Sequence, residues 1–254
     1  MTEPVLSIRN MTKRFGGLVA VKNVSWDVYP GEVVALLGDN GAGKSTLIKC
    51  VSGVYQAEEG EVYFQGKRRH FAGPMDARRE GIETIYQDLA LANNLDVGAN
   101  IFLGREAKRR YLGGLIKTLD EGLMLRESAA ALEKLEIYFP SLTEPIQNLS
   151  GGQRQAVAIA RAVYWDARLM IMDEPTNNLG VPEQHKVLEV IRKLRDQGVP
   201  VILITHTLPD VFAVADRLMV MHRGRKVTEK KTGETNTPEL VQYMVGALDD
   251  MRAN

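Results

Sequence analysis

Apolar and polar residues alternate through Val5-Leu6-Ser7-Ile8-Arg9 and again within Val19 to Val28, the period of two that marks half-buried strands. A turn at Tyr29-Pro30-Gly31 follows. The pattern then becomes a continuous apolar run, Val33-Val34-Ala35-Leu36-Leu37, so two antiparallel strands precede a third, more deeply buried one. From Lys44 the period changes to that of a helix, with Leu47, Ile48 and Val51 on one face and a stop near Gly53. Glu61 to Gly66 reads as a strand and turn, Met75 to Glu80 as a short helix after Pro74 that Gly81 ends, and Ile82 to Gln87 as another strand.

Between Asp88 and Asn148 the alternation of strands and helices lapses. Asp96 to Leu103 and Asp120 to Leu135 have helical spacing, and the run Lys108-Arg109-Arg110 with Gly113-Gly114 between them reads as a solvated loop, contact with a partner or lipid head groups being the alternative. The pattern resumes with a helix after Ser150 whose apolar face is Ala156, Val157, Ala160 and Val163. A strand, Leu169 to Glu174, follows. A helix with Pro182 in its first turn carries the stripe Val187, Val190, Ile191 and Leu194 and ends at Gly198. Val199 to Thr205 is apolar enough for a strand covered on both faces of a parallel sheet. Arg217 to His222 and Arg225 to Thr228 read as two strands around Gly224, and Pro238 to Gly246 as a closing helix. The sum is an α/β core, about 1–87 and 154–254, with an N-terminal antiparallel β part and a helical insertion at about 88–153.

Composition narrows this only modestly. The 254 residues are 44% hydrophobic, sufficient for one sizeable core, and 32 Lys plus Arg balance 32 Asp plus Glu. A net charge of zero implies no general attraction to nucleic acid or acidic lipid. The single cysteine, Cys50, excludes an intramolecular disulfide framework and reads as a small buried hydrophobe. No secretory signal is expected at the N-terminus, and no apolar run approaches the ~20 residues of a membrane span.

The chemistry gathers at strand ends. Gly38-Asp39-Asn40-Gly41-Ala42-Gly43-Lys44-Ser45-Thr46 lies between an apolar strand and a helix, the context the phosphate-binding pattern G-x-x-x-x-G-K-[ST] requires. Its glycines let backbone N–H groups close on phosphate oxygens, Lys44 reaches the β and γ phosphates, and Ser45 is placed to ligate Mg²⁺. Several charge-assisted hydrogen bonds, about 1.5–3 kcal/mol each, outweigh the helix dipole at about 0.3–1 kcal/mol. Asp173 and Glu174 end a strand as adjacent carboxylates, the first a metal ligand and the second a general base. Gln87 and His206 stand at two more strand ends, where a polar group projects toward a ligand at the sheet edge, His206 toward a γ-phosphate. Phe15, in the stretch Lys13 to Gly17 read as an exposed loop, is either a core anchor or a ring offered to adenine. Ser150 and Gln153 have capping-box spacing, and Gly151 and Gly152 expose N–H groups at a positive helix end, a second anion site.

Together these residues resemble the ATP-binding subunit of ABC transporters over essentially the whole chain. Gly38 to Ser45 matches the Walker A motif, Gln87 the Q-loop, Leu149 to Gln153 the LSGGQ signature, Leu169 to Glu174 the Walker B motif and His206 the switch histidine, while Phe15 falls at the adenine-stacking aromatic. The resemblance implies a P-loop NTPase fold and a head-to-tail dimer in which Ser150, Gly151 and Gly152 of one copy close over ATP held by Lys44 of the other. It implies that Glu174 polarises water, that His206 contacts the γ-phosphate, and that Gln87 links the Mg²⁺ site to the helical insertion where membrane permease subunits dock. It places the chain peripherally on the cytoplasmic face of the cell membrane, served indirectly by a periplasmic sugar-binding protein, with no nucleic-acid partner. Asn177-Asn178-Leu179-Gly180 stands where many family members carry a D-loop aspartate, so that contact is not carried over. Gly180-Val181, Gly38 to Gly41 and Asn100 to Glu106 look like importers of monosaccharides of the fructose and ribose type, and the length looks like the single-domain fructose-type form, with little room after Gly246 for a regulatory module. The alternatives are an ABC ATPase for another small polar solute and a soluble non-transport ABC protein.

Overall fold

The computed structural model describes residues 3–111, 116–139 and 141–247. Its elements begin with strands β1 (Leu6–Phe15), β2 (Leu18–Val28) and β3 (Val33–Leu37), helix α1 (Lys44–Val51), and strands β4 (Glu59–Phe64) and β5 (Lys67–Arg69). Helix α2 (Pro74–Arg79), strand β6 (Ile82–Ile85), helix α3 (Val97–Ile101), strands β7 (Lys108–Tyr111) and β8 (Ile116–Leu119), and helices α4 (Glu121–Lys134) and α5 (Gly151–Tyr164) follow. The chain continues through β9 (Leu169–Asp173), α6 (Val181–Asp196), β10 (Val201–Ile204), α7 (Leu208–Val214), β11 (Arg217–His222), β12 (Arg225–Lys231) and α8 (Thr237–Met244).

These form two compact units, one of residues 1–84, 168–175 and 191–254, the other of residues 85–167 and 176–190. The first holds an antiparallel sheet in the order β2-β1-β4-β5 and a six-stranded sheet in the order β12-β11-β3-β10-β9-β6. Strands β11, β3, β10 and β9 run parallel to one another, and β12 pairs antiparallel with β11 at the edge. This is the α/β arrangement with an N-terminal antiparallel sheet that the hydrophobic pattern predicts. The continuous apolar runs are explained by burial on both faces: every residue of β3 is buried, and so is every residue of β10. One cluster joins the sheets, with Ile8, Trp26 and Phe64 from the antiparallel side and Leu36, Ile171 and Ile202 from the parallel side. Cys50 lies in that cluster, and burial pushes its thiol up to about 11, so it stays an uncharged packing residue.

In the second unit α3, α4 and α5 pack on one another. Asp96 caps α3 by accepting from the Ala99 N–H at 2.7 Å, and Asp120 caps α4 by accepting from the Leu123 N–H at 3.1 Å. The fully buried Asn100 ties down the preceding loop: its side chain accepts from the Ala92 N–H at 2.7 Å and donates to the Ala92 and Asp96 carbonyls. Among the described residues no helix is long and apolar enough to cross a membrane.

Several local expectations are corrected. Lys13 to Phe15 is strand rather than loop, because Arg14 pairs with Val19 and Phe15 with Leu18 around the turn at Gly16-Gly17. The basic run lies in β7, not in a loop; Lys108 pairs with Leu119 and Arg109 with Thr118, while Gly113-Gly114 lies outside the described residues. On α5 the buried positions include Gln155, Val157, Ala158, Ile159, Ala160 and Ala162, whereas Ala156 and Val163 are only half-buried. Strand β6 ends at Ile85, so Gln87 occupies an exposed bend. Strand β12 runs on to Lys231 because its polar residues pair with β11 at the sheet edge, where charged side chains are suited to solvent.

Candidate functional site

Strand β3 hands the chain to the phosphate loop through three glycines at positive φ: Gly38 at 146°, Gly41 at 79° and Gly43 at 100°. Two of these positions are dictated by neighbours as well as by φ. A Cβ on Gly38 would lie 2.3 Å from the Met221 carbonyl oxygen, and one on Gly43 would lie 2.5 Å from that of Ala20. Gly43 also caps α1 and, having no side chain, makes no cap hydrogen bond to the first-turn N–H groups. An uncapped helix start preceded by a tight glycine loop is a ready anion site.

Lys44 folds back over this loop, its Nζ donating to the Gly38 carbonyl at 2.7 Å and the Asp39 carbonyl at 3.1 Å. Burial lowers its pKa, an effect opposed by Glu174, Asp173 and Asp39. A negatively charged ligand therefore restores what burial removes from the ammonium. Asp39 itself accepts from the Asn40 N–H at 2.7 Å, which shapes the loop. Asn40 to Thr46 and Phe15 line one cavity of about 530 Å³. The two readings of Phe15 are thereby separated: it is 43% exposed, held edge-on by Tyr55 at 5.2 Å between ring centres, and borders the cavity rather than the core. Leu18, Val19, Ala20, Arg223 and Gly224 line the same cavity, and no pattern in the sequence marked them.

Asp173 ends β9 beside β10, where it pairs with Ile204, and Glu174 follows it. That register brings His206 to Glu174, with Nδ1 2.8 Å from Oε1. Glu174 has left the strand geometry, at φ 52°, and its N–H donates to the Ile204 carbonyl at 2.8 Å. Such a conformation for a non-glycine residue costs about 1–3 kcal/mol and is characteristic of working sites. Its Oε2 is buried without a hydrogen-bond partner, an acceptor awaiting a donor. Burial, then Glu174, raises the Asp173 pKa, with Lys44 and Lys49 pulling the other way. The Asp173 carboxylate together with the Ser45 hydroxyl are the hard donors that Mg²⁺ takes, and the buried, unpartnered Glu174 oxygen fits a water held nearby.

This perturbation makes a stability prediction. A carboxyl whose folded pKa is raised stabilises the fold below its unfolded pKa, and that contribution is lost as pH rises through the folded value. At neutral pH the ionised Asp173 is thus a cost to the ligand-free protein. Asp173→Asn is expected to melt higher than the parent near pH 7, with the difference shrinking toward pH 4, in parallel thermal melts without Mg²⁺. A lower melting temperature at neutral pH would contradict this origin of the shift.

In the second unit the capping box forms as its spacing predicts. Ser150 Oγ accepts from the Gln153 N–H at 3.3 Å, and Gln153 Oε1 accepts from the Ser150 N–H at 2.8 Å. Gly151 and Gly152 have a packing reason too: a Cβ on Gly151 would meet Leu179 at 2.8 Å, and one on Gly152 would meet the Glu183 side chain at 2.8 Å. The structure therefore groups Phe15, Gly38 to Thr46, Asp173, Glu174 and His206 in the first unit, and Gln87 with Ser150 to Gln153 in the second.

Residues 21–177 match the family model described as ABC transporter. A xylose/arabinose import ATP-binding protein of Sulfolobus acidocaldarius is 48% identical over 94% of this chain and 93% of its own length. A fructose import ATP-binding protein of Rhizobium meliloti is 42% identical over 98% and 97%. Among solved structures, an ATP-binding cassette of an ABC transporter superposes with a TM-score of 0.82 at 29% identity, covering 95% of this chain and 98% of that one. A dimeric cassette in a post-hydrolysis state bound to ADP and Pi superposes with a TM-score of 0.73 at 26% identity, covering 89% and 98%.

Proposed function

This chain belongs to the ABC transporter family, and on that premise we propose that it is the ATP-hydrolysing subunit of a monosaccharide importer. The observation that carries the reading is the convergence, within one unit, of the phosphate loop with the Asp173, Glu174 and His206 cluster, in which a strained Glu174 keeps one carboxylate oxygen unpartnered.

In this reading Phe15 stacks on adenine, the N–H groups from Asn40 to Thr46 hold the phosphates, and Lys44 exchanges its bonds to the Gly38 and Asp39 carbonyls for phosphate oxygens. Ser45 and Asp173 would hold Mg²⁺. When bound, that ion neutralises charge on the β and γ phosphates. Glu174 orients a water and accepts its proton as the water oxygen attacks the γ phosphorus, and the bond to the bridging oxygen breaks to leave ADP and phosphate. His206 trades its contact with Glu174 for the γ-phosphate. Little covalent work is asked of the protein, because phosphoryl transfer depends on positioning and charge stabilisation.

Ser150, Gly151, Gly152 and Gln153 of a second copy close the site in a head-to-tail pair. The capping box supports this, since it engages the Ser150 and Gln153 side chains and leaves the Gly151 and Gly152 N–H groups without a side-chain cap. The dimeric cassette among the structural neighbours supports it independently. The helical subdomain, about 88–153, receives permease subunits at the cytoplasmic face of the membrane, with a periplasmic sugar-binding protein delivering solute. Sugar as cargo rests on the two import proteins above, whose names specify pentoses and fructose.

Uptake of labelled xylose, arabinose, fructose and ribose tests the cargo directly. Cells lacking this chain are expected to lose uptake of at least one of these sugars and to regain it with the wild-type chain but not with Glu174→Gln. Unchanged uptake of every monosaccharide would remove the sugar assignment while leaving ATP hydrolysis standing.

A further inference from the structure

The hairpin of β11 and β12 closes through Arg223 and Gly224, the two residues between the paired His222 and Arg225. Both have positive φ, 45° for Arg223 and 78° for Gly224. A two-residue hairpin loop with both φ values positive is the type I′ turn, whose first position strongly favours Asn, Asp or Gly. A long β-unbranched cation there breaks the local preference, and broken local preferences concentrate at functional positions.

Two further observations say what this one serves. The turn is indexed to the phosphate loop: the Gly224 N–H donates to the Ala42 carbonyl at 2.9 Å, and the Gly224 carbonyl accepts from the Lys22 N–H at 2.7 Å. A Cβ on Gly43 would meet Gly224 Cα at 3.3 Å, so the two backbones are in close contact. Arg223 also lines the cavity that holds Phe15 and Lys44, whose lining contains these two cations and no carboxylate. Arg217 and Lys226 on the same hairpin are both bonded to Glu229, whereas among the described residues Arg223 has no acidic partner.

Resting on the ATPase reading above, we propose that Arg223 is a further nucleotide-binding residue, its guanidinium contacting the phosphate chain of a nucleoside polyphosphate seated in the phosphate loop. An Asn-Gly turn would suit this backbone better but would leave the cavity wall without the Arg223 cation. The arrangement sacrifices local stability for a ligand contact.

The test uses the full chain, ADP as the probe, calorimetric titration for affinity and thermal melts without ligand for stability. Arg223→Asn installs the favoured turn and is expected to melt about 2–4 °C higher while binding ADP about tenfold more weakly. The affinity loss is expected to shrink as salt rises, because the contact is between charges. Arg223→Lys keeps the charge and is expected to retain most of the affinity. Unchanged ADP affinity in Arg223→Asn beside tight wild-type binding would overturn this assignment alone. A fall in melting temperature would overturn the strain it rests on. No binding by the wild-type chain, in a titration where Lys44→Ala is equally silent, would overturn the ATPase reading and this inference with it.

Discussion

Glu174→Gln is expected to bind ATP as well as the parent chain and to release phosphate roughly 10²–10⁴-fold more slowly, the range over which a positioned general base acts. The substitution is nearly isosteric and leaves the backbone bond from Glu174 to Ile204 untouched. The left-handed conformation at φ 52° is no harder for glutamine than for glutamate. What is lost is a carboxylate able to take the proton of the attacking water. Single-turnover phosphate release measured beside nucleotide binding separates the two effects. Wild-type turnover in this variant would move the base elsewhere and leave the strain at Glu174 unexplained.

Gly43→Ala is expected to lower nucleotide affinity by about a hundredfold or more, equivalent to losing two charge-assisted hydrogen bonds of about 1.5–3 kcal/mol each. Its φ of 100° is strained for any residue with a Cβ. The new methyl group would also stand 2.5 Å from the Ala20 carbonyl oxygen and 3.3 Å from Gly224 Cα, both backbone atoms that cannot rotate away. Either the loop or β2 must move, and the N–H groups at the start of α1 lose their aim. Gly41→Ala provides the comparison. It has a φ of 79° but open space around its Cβ position, so it incurs strain without collision and is expected to weaken binding much less. Equal losses in the two variants would show that φ alone, rather than the packing of Ala20 and Gly224 on the loop, sets the requirement for glycine at position 43.

The contrast between these glycines shows where sequence was informative and where it was not. The pattern from Gly38 to Thr46 announces a phosphate loop because its chemistry is local: spacing, small residues and a flanking strand and helix. The same holds for the capping box, which joins residues three apart. The reasons that Gly38 and Gly43 cannot change are not local, since they come from Met221 and Ala20, brought in by β11 and β2. The pairing of Glu174 with His206 depends on the register of β9 and β10, in which Asp173 lies opposite Ile204, and no spacing rule encodes that register. Phe15 belongs to a strand because of its partner Leu18, and the polar end of β12 belongs to one because of Arg217 and Leu218, so alternation within either stretch was no guide. The basic run at Lys108 was hidden in the same way, having too few apolar residues to register as β7. Arg223 was legible only in retrospect, as an unsuitable residue in a turn that Gly224 announces.

The structure also reveals a constraint on the D-loop departure. Gly180 is adjacent to Glu183, whose Oε2 lies 2.6 Å from where a Cβ at position 180 would be, and the same Glu183 side chain packs on Gly152. Gly180 and Gly152 therefore share one neighbour, the Glu183 side chain.

In the proposed function Lys44, Asp173, Glu174 and His206 form half of a hydrolytic site that a second copy completes. Sedimentation of Glu174→Gln with and without Mg²⁺ and ATP tests it most directly. A monomer is expected without nucleotide, a dimer holding two ATP with it, and a persistent ATP-bound monomer when Ser150→Arg is added to block closure. A Glu174→Gln chain that binds ATP fully yet remains monomeric, or a dimer indifferent to Ser150→Arg, would contradict it.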